Sequence, residues 1–409
     1  MQPIQTILLH IIRVKFKHTL IMNTNLLASK PRFEILDGLR GVAAILVVMF
    51  HLFETYSKGP CFQILNHGYL AVDFFFILSG FVIGYAYDDR WRKGMTQCNF
   101  YKRRLIRLQP MVIMGTLIGA IWFYFGDAPF FTYVMQTPWW KLLIIVILGC
   151  LMFPTPPSMD IRGWSEVNSL NGVTWSLMWE YIGNILYASI IRRFSKIVLG
   201  IFVALSAVLT ICLGLNIDLF GLLAEREAAA HTMIGGFGLT LDQIYIGLTR
   251  LLYPFFSGLL LYRLGISIKI KNYGFLWCSL ALAAILVMPH LGGDTPNIIN
   301  GSYCVVAILL LFPMIVAAGA GSLLEGKKTI KVCKFLGAIS YPLYITHYPL
   351  VYMQMQWVAA HPYAPEGAHV WVFCSLLVAS IAVAYACLKL YDEPVREWLK
   401  NHWLYKKKQ

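Results

Sequence analysis

Long apolar segments alternate with short polar loops along almost the whole chain. Eleven of these segments are long enough to enter a membrane, and they cover residues 39–56, 69–87, 110–126, 139–153, 171–191, 195–216, 240–263, 273–290, 299–320, 335–357 and 370–391. A bilayer core requires about 20 apolar residues per helix, and helices satisfy their own backbone hydrogen bonds there. The pattern therefore predicts an all-α integral membrane protein, a polytopic helical bundle.

Loop charges indicate which segments cross the membrane. Basic residues concentrate at 90–107, 192–196, 263–271, 327–334 and 389–408, whereas the other loops are neutral or acidic. If every basic loop is cytoplasmic, an even number of spans must separate Arg107 from Arg192, but three candidates lie between them. The short segment 139–153 is the weakest of the three. The sequence therefore predicts about ten transmembrane helices, both termini in the cytoplasm, and one re-entrant or tilted segment.

The composition agrees with an integral membrane protein and limits the classes of binding partner. The chain has 409 residues, of which 58% are hydrophobic and only 13% are charged. Its net charge of +14 lies in short loops and at the C-terminus, so it reports membrane topology and not a nucleic-acid partner. The nine cysteines are scattered without a CxxC pair, and HExxH, GxxxxGK[ST] and GxSxG motifs do not occur. A metal site and ATP-driven transport are therefore not predicted.

Three parts are predicted along the chain. Residues 1–31 form a basic N-terminal extension that lacks a signal-peptide cleavage site; either the chain starts at Met22, or the extension is a surface helix. Residues 32–396 form the membrane domain. Residues 397–409 form a basic cytoplasmic tail.

Arg40 and His51, in the first apolar segment, are polar side chains that an apolar span would normally exclude. They are eleven residues apart, so they lie on nearly the same helical face and about 16 Å apart along the axis. An arginine at the entrance of a span often reaches the lipid headgroups. A histidine in mid-span usually faces a cavity and marks a pathway or a reaction site.

A basic run, 100-FYKRRLIRLQP-110, opens the third segment. Arg104 and Arg107 share a helical face, with Lys102 and Arg103 beside them. Such a run is often an anchor that touches anionic lipids. The alternative is an anion clamp, because guanidinium groups match phosphate oxygens in bidentate geometry.

Four other polar residues of the apolar segments are candidates for the functional site, and each also has a purely structural explanation. Asp73 is either a helix cap or a site residue, and Arg250 is expected to pair with an acid. Glu180 is predicted either to orient His51 or bind an acceptor, or else to form an ion pair with an arginine. His347 either contacts substrate or is a buried structural histidine.

Six stretches in order resemble the membrane-bound acyltransferase-3 family. They are Arg40-x10-His51, 68-GYLAVDFFFILSGF-81, 100-FYKRRLIRLQP-110, 174-TWSLMWE-180, 250-RLLYPFFSGLLLYRLG-265, and 336-LGAISYPLYITHYPL-350 followed by Glu393-Pro394. The resemblance covers about residues 32–396. It implies transfer of an acyl group, commonly acetyl, from cytoplasmic acyl-CoA to a hydroxyl of a sugar, an envelope polysaccharide, peptidoglycan or a small metabolite, in a bacterial inner membrane.

The resemblance also implies roles for residues. It makes Arg40 and His51 the essential pair, with His51 acting as general base or as a transient acyl carrier. The predicted further catalytic residues are Glu180 and Asp73. The predicted CoA-binding residues are Arg104, Arg107, Arg103 and Lys102, and the predicted substrate-binding residues are Tyr341, His347, Trp175 and Arg250. Acyl-CoA enters as a co-substrate, so no permanently bound cofactor is expected.

Two other functional classes fit parts of the pattern. A secondary transporter or flippase would also have about ten spans with intramembrane charges. An inactive scaffold could keep the fold, although the intact Arg40, His51, Arg104 and Arg107 favour an enzyme. Some family members carry a further esterase-like domain after the last span, and because this sequence stops at Gln409 it is expected to belong to the stand-alone branch.

Overall fold

A computed structural model describes residues 33–57, 63–125, 136–224, 226, 229–291, 297–324 and 326–404. The predicted basic extension 1–31 lies outside the described residues. The helices in chain order are α1 (Glu34–Glu54), α2 (Ala71–Arg92), α3 (Gln97–Phe125), α4 (Trp139–Leu151), α5 (Thr174–Ser189), α6 (Lys196–Gly214), α7 (Leu241–Leu264), α8 (Gly274–Val287), α9 (Ile298–Gly321), α10 (Lys327–Thr346), α11 (Tyr348–Ala360) and α12 (Glu366–Leu404). The predicted all-helical membrane fold is confirmed.

Seven helices among the described residues are long and apolar enough to cross a bilayer, namely α1, α2, α3, α6, α7, α9 and α12. Helices α4 and α8 are apolar but shorter, with 13 and 14 residues. Helix α5 has 16 residues, and the 20 residues of α10 include four lysines. The number of ten spans therefore stays a prediction. Residues 397–404, predicted to belong to a separate tail, continue the helix α12.

Helix α4 has the features of a re-entrant segment. Its 13 residues rise only about 20 Å, which is less than the bilayer core. The ammonium of Lys141, in the first turn of α4, donates to the backbone carbonyl of Asp160 at 3.4 Å. The chain after α4 therefore returns to the end at which the helix began, as the sequence predicted for residues 139–153.

The outer surface of the bundle is apolar where lipid would lie. Ile197, Ile201, Leu205 and Val208 recur every three or four residues along α6, and all four are exposed. A soluble protein rarely leaves such a continuous apolar stripe uncovered. The stripe is consistent with a helix that faces acyl chains.

Helix α1 lies at the centre of the bundle and packs most closely against α10. Gly41 of α1 faces the backbone of Leu336, and Gly337 of α10 faces Asp37. Because glycines allow close approach of two helix backbones, α1 and α10 lie side by side over much of their length. The opposite ends of α1 carry Arg40 and His51.

Helices α2 and α7 form the second close pair. Gly80 of α2 faces the carbonyl of Phe255, and Gly258 of α7 faces the carbonyl of Ile77. Near the other end of this pair, the carboxylate of Asp73 accepts from Arg250 Nη2 at 2.7 Å and from Nε at 3.3 Å. The prediction that Arg250 pairs with an acid is thus confirmed.

Candidate active site

Within the part of the bundle that the structure describes, two cavities are lined by polar residues of α1. We call them the arginine cavity and the histidine cavity. Arg40 lines the first, and His51 lines the second. One straight helix therefore carries a cationic group to one cavity and an imidazole to the other, about 16 Å further along its axis.

The arginine cavity is narrow, about 90 Å³, and strongly basic at its charged end. Helices α1, α2, α3, α5 and α10 supply its walls, which are formed by Arg40, Val72, Phe75, Phe76, Ser79, Val82, Ile83, Arg104, Arg107, Leu108, Ser176, Leu177, Glu180, Ser340, Tyr341 and Tyr344. Three guanidinium groups and one carboxylate line the cavity, so the formal net charge of its walls is positive. The other walls are apolar or carry hydroxyls.

The carboxylate of Glu180 forms an ion pair with Arg104 and not with His51. Arg104 Nη2 donates to Glu180 Oε1 at 2.6 Å, and Ser79 Oγ donates to the same oxygen at 3.3 Å. Of the two readings of Glu180 from sequence, the structure shows the ion pair with an arginine, because the two helices α3 and α5 bring these side chains together. Arg107 is exposed and lines the cavity, which leaves its guanidinium accessible to an anion.

The four basic residues predicted to bind CoA divide into two pairs. Arg104 and Arg107 line the arginine cavity, whereas Lys102 and Arg103 are not among its lining residues. The ammonium of Lys102 lies 5.6 Å from the ring centre of Trp403, in the last turn of α12. Residues at i and i+3 share a helical face, whereas their immediate neighbours point elsewhere. Tyr341, predicted to bind substrate, also lines the arginine cavity and donates to the carbonyl of Leu108 at 2.6 Å.

The histidine cavity is larger, about 350 Å³, and is rich in aromatic side chains. Its walls are Val47, Phe50, His51, Glu54, Gly68, Tyr69, Val72, Trp164, Glu166, Gly172, Val173, Trp175, Ile234, Gly235, Phe237, Arg250, Tyr344, Tyr348 and Met355. A cavity of this size with a few converging polar groups suits one sugar-sized ligand. Trp175 and Arg250, both predicted to contact substrate, line this cavity. The guanidinium of Arg250 lies 5.1 Å from the ring centre of Trp175.

His51 is oriented by a carboxylate on its own helix. Its Nδ1 lies 2.8 Å from Glu54 Oε2. A carboxylate accepts, so Nδ1 carries the proton, and in the neutral ring Nε2 keeps its lone pair. The geometry thus presents a basic nitrogen beside a carboxylate-held N–H, the arrangement that general-base histidines use.

Three aromatic rings pack against the His51 ring, and the neighbouring Phe50 contacts it edge-on at 5.0 Å between ring centres. Tyr348 contacts it edge-on at 4.9 Å between ring centres, and His347 stacks on it at 5.5 Å. His347 is fully buried, its Nδ1 donates to the carbonyls of Leu343 and Tyr344, and it is not among the lining residues of either cavity. The structure places it behind His51, where it fixes the ring and does not reach the cavity space.

If the chain carries out the acyl transfer that the sequence resemblance implies, Glu54→Gln is expected to reduce kcat by about 10- to 100-fold, because the amide no longer enforces the productive tautomer of His51. The KM for the acyl donor is expected to stay near the wild-type value, since Glu54 does not line the arginine cavity. Glu366→Gln, an exposed carboxyl in the first turn of α12, is the matched control. Steady-state kinetics test this, and an unchanged kcat would remove Glu54 from the site.

Asp73 supports the histidine cavity without lining it. Its partner Arg250 also donates to the carbonyls of Tyr69 at 2.7 Å and Gly235 at 3.3 Å. Gly235 and Phe237 belong to the loop before α7, and both line the cavity. The buried pair therefore holds the loop 234–238 against the cavity, which makes Asp73 a positioning residue in this structure.

Glu166, in the loop between α4 and α5, is a further acid of the histidine cavity. Burial raises the pKa of its carboxyl to about 8, although the nearby guanidinium of Arg162 opposes this. At neutral pH the group is therefore mostly protonated, and it can donate a hydrogen bond to an oxygen of a ligand. Its Oε2 atom is buried and makes no hydrogen bond within the protein.

Sequence reasoning did not single out Glu54, Glu166, Tyr344 or Tyr348. Glu54 had a usable signal, because it stands three residues after His51 and shares its helical face. Tyr344 and Tyr348 lie on either side of His347, in a stretch that the family resemblance included. Glu166 follows no periodic pattern, and only the folded loop brings it to the cavity.

Comparison with known proteins identifies the family of the chain. The family described as Acyltransferase domain matches residues 33–389. Peptidoglycan O-acetyltransferase OatA of Listeria monocytogenes is 24% identical over 392 residues, which cover 90% of this chain and 56% of that protein. O-acetyltransferase OatA of Staphylococcus aureus is 24% identical over 371 residues, 88% of this chain and 57% of that protein. This chain thus spans little more than half the length of either relative.

A shorter relative covers part of the chain. Protein 2 in picA locus of Rhizobium radiobacter is 32% identical over 169 residues, 38% of this chain and 81% of that protein. No solved structure matches the chain. The family match extends from the start of α1 into α12, so it includes both cavities. The chain belongs to the acyltransferase-3 family that its sequence motifs indicated.

Proposed function

We propose that the protein transfers an acyl group, acetyl in the first instance, from acyl-CoA to a hydroxyl of a carbohydrate of the cell envelope. The observation that carries this proposal is the arrangement of the two cavities along α1. A basic cavity that suits phosphates adjoins an aromatic cavity that contains a carboxylate-held histidine. A transporter needs no phosphate site beside a basic imidazole.

The donor would bind from the basic end. The arginine cavity, about 90 Å³, is too small for a nucleotide but wide enough for an extended arm. The phosphates of acyl-CoA would therefore stay at the rim beside Arg107 and Arg104, while the pantetheine arm enters past Arg40. The positive-inside rule supports a cytoplasmic position for this rim, because the basic loops lie on its side of the membrane.

The reaction itself would take place beside His51. The oxygen of the acceptor hydroxyl forms a bond to the thioester carbonyl carbon, and His51 Nε2 takes the hydroxyl proton. The C–S bond then breaks, and the CoA thiolate receives that proton from the imidazolium, which restores the neutral ring. In the alternative route, Nε2 first attacks the thioester carbon, the C–S bond breaks and CoA leaves as the thiolate. The acceptor oxygen then bonds to the acyl carbon, the C–N bond breaks, and the hydroxyl proton passes to the thiolate.

The acceptor class rests on the cavity and on the relatives. The aromatic rings of Trp164, Trp175 and Tyr348 suit the faces of a sugar, and Glu54 and Glu166 suit its hydroxyls. The two OatA proteins carry O-acetyltransferase names, one of them for peptidoglycan. These points favour an envelope polysaccharide over a small metabolite.

The direct test supplies purified protein in lipid with acetyl-CoA labelled in the acetyl group and a mixture of glycan acceptors. We expect label in an ester that mild base releases, with free CoA appearing in equal amount. Uptake or flipping of a glycan without ester formation would instead support the transporter alternative.

Arg107→Ala is expected to raise the KM for acyl-CoA about tenfold and to leave the KM for the acceptor unchanged, because a charged hydrogen bond to phosphate is lost. Arg107 is a cleaner probe than Arg104, whose removal would also strand Glu180. Arg103→Ala is the matched control, since Arg103 does not line the cavity. An equal rise in both variants would indicate a general effect of positive charge at the membrane surface.

A further inference from the structure

Two residues are shared by the walls of the arginine cavity and the histidine cavity, Val72 and Tyr344. Val72 lies in the first turn of α2, and Tyr344 lies in the last turn of α10. The two cavities therefore adjoin at an isopropyl group and a phenol ring. We call this place the constriction.

The tyrosine of the constriction is held on both sides. Its hydroxyl lies 2.7 Å from Ser176 Oγ, and Ser176 is anchored to the carbonyl of Val173 at 3.1 Å. Its ring contacts Phe75 edge-on, with 5.5 Å between ring centres. A ring fixed at its hydroxyl and at its face is a defined barrier, in contrast to a freely rotating side chain.

This inference rests on the proposed function. The phosphates of the donor stay beside Arg104 and Arg107, and the thioester carbon must come to His51 in the other cavity. The acyl group therefore passes the constriction ahead of the sulfur. An unbranched acyl chain is no wider than the cysteamine and β-alanine units that follow it, whereas a chain branched next to the carbonyl is wider. The dimethyl-substituted carbon of the arm lies further back, towards the phosphates.

We propose that Val72 and Tyr344 select the acyl group by its cross-section, so that the enzyme accepts unbranched acyl groups and rejects those branched beside the carbonyl. The selection acts on width and not on carbon number. The selection depends only on the size and shape of two side chains. Both can be substituted while His51 and the arginines are left unchanged.

The test compares n-butyryl-CoA with isobutyryl-CoA, which have the same atoms and differ in branching. The measured quantity is the ratio of isobutyryl to n-butyryl transfer, each as kcat/KM. We expect Val72→Ala and Tyr344→Ala to raise this ratio about tenfold, the usual effect of relieving one methyl group in a fitted site. Val72→Ile is expected to lower it.

Two valines provide matched controls on either side. Val82, on the same helix α2, lines only the arginine cavity, and Val47 of α1 lines only the histidine cavity. Val82→Ala and Val47→Ala are expected to leave the ratio at the wild-type value. An equal rise in either control, or an unchanged ratio in Val72→Ala, would overturn the constriction.

The outcomes also separate this inference from the proposed function. If wild-type protein transfers acetyl and n-butyryl groups but Val72→Ala keeps the wild-type ratio, only the constriction is wrong. If wild-type protein transfers no acyl group from any acyl-CoA, the proposed function fails and the constriction fails with it. Should Tyr344→Ala not fold, Val72→Ala decides alone, because it removes only two methyl groups.

Discussion

Replacing His51 with alanine is expected to abolish acyl transfer, with a loss of at least about 10²- to 10⁴-fold in kcat. The reason is chemical, because no other side chain among the lining residues of the histidine cavity offers a neutral basic nitrogen. Both routes considered above, general base and acyl carrier, pass through Nε2 of this ring. Transfer is measured with labelled acetyl-CoA and a glycan acceptor.

The matched control is His361→Ala, since His361 is exposed at the end of α11 and lines neither cavity. Expression and the unfolding midpoint in detergent should match the wild type for both variants. If His51→Ala transferred acyl groups as fast as His361→Ala does, the imidazole of His51 would have no role in the mechanism. In wild-type protein incubated with acyl-CoA and no acceptor, a protein-bound acyl group that His51→Ala lacks would identify the acyl-carrier route.

Asp73→Asn is expected to lower the free energy of unfolding by about 3–5 kcal/mol, because it leaves the guanidinium of Arg250 buried without a counter-charge. The side chain of Arg250 is 2% exposed and that of Asp73 is fully buried. The same change loosens the loop 234–238, which Arg250 holds through Gly235. Acyl transfer should therefore fall as well. Denaturant titration in detergent measures the stability.

Lys389→Ala is the control for this stability change. Its ion pair with Glu393 has a similar distance, 2.7 Å, but the two side chains are 45% and 48% exposed. An exposed pair contributes only about 0–1 kcal/mol, so the control should unfold nearly as the wild type does. If Asp73→Asn were as stable as this control, the buried pair would not support the fold as described.

The sequence allowed prediction of the helices and of much of the site because those features are local. Apolar runs locate the helices, and a spacing of eleven residues places Arg40 and His51 on one face of α1. The spacing of Arg104 and Arg107 likewise placed both in one cavity, whereas Lys102 and Arg103, their neighbours in sequence, are not among its lining residues. In a helix, neighbours in sequence point in different directions.

Contacts between helices could not be read in the same way. Glu180 had several possible partners in sequence, and only the packing of α5 against α3 selects Arg104. The constriction at Val72 and Tyr344 depends on α2 and α10 meeting from opposite parts of the chain. Tertiary distances of this kind are not encoded in the period of any single helix.

The number of spans also depends on more than apolar length. Helix α5 has only 16 residues, yet it lines the arginine cavity in the interior of the bundle. Helix α10 carries lysines in its first turns, yet it is the main packing partner of α1. Helices that pack inside a bundle need less lipid-facing apolar surface, so length and hydropathy alone do not determine whether such helices span the membrane.

The most direct test of the account is the sidedness of transfer in proteoliposomes of uniform orientation, established by protease access to a C-terminal affinity tag. Labelled acetyl-CoA is supplied on one face and the glycan acceptor on the other, and then the faces are exchanged. We predict transfer only when acetyl-CoA is on the face of the arginine cavity and the acceptor is on the face of the histidine cavity. Transfer that requires both substrates on the same face would contradict it.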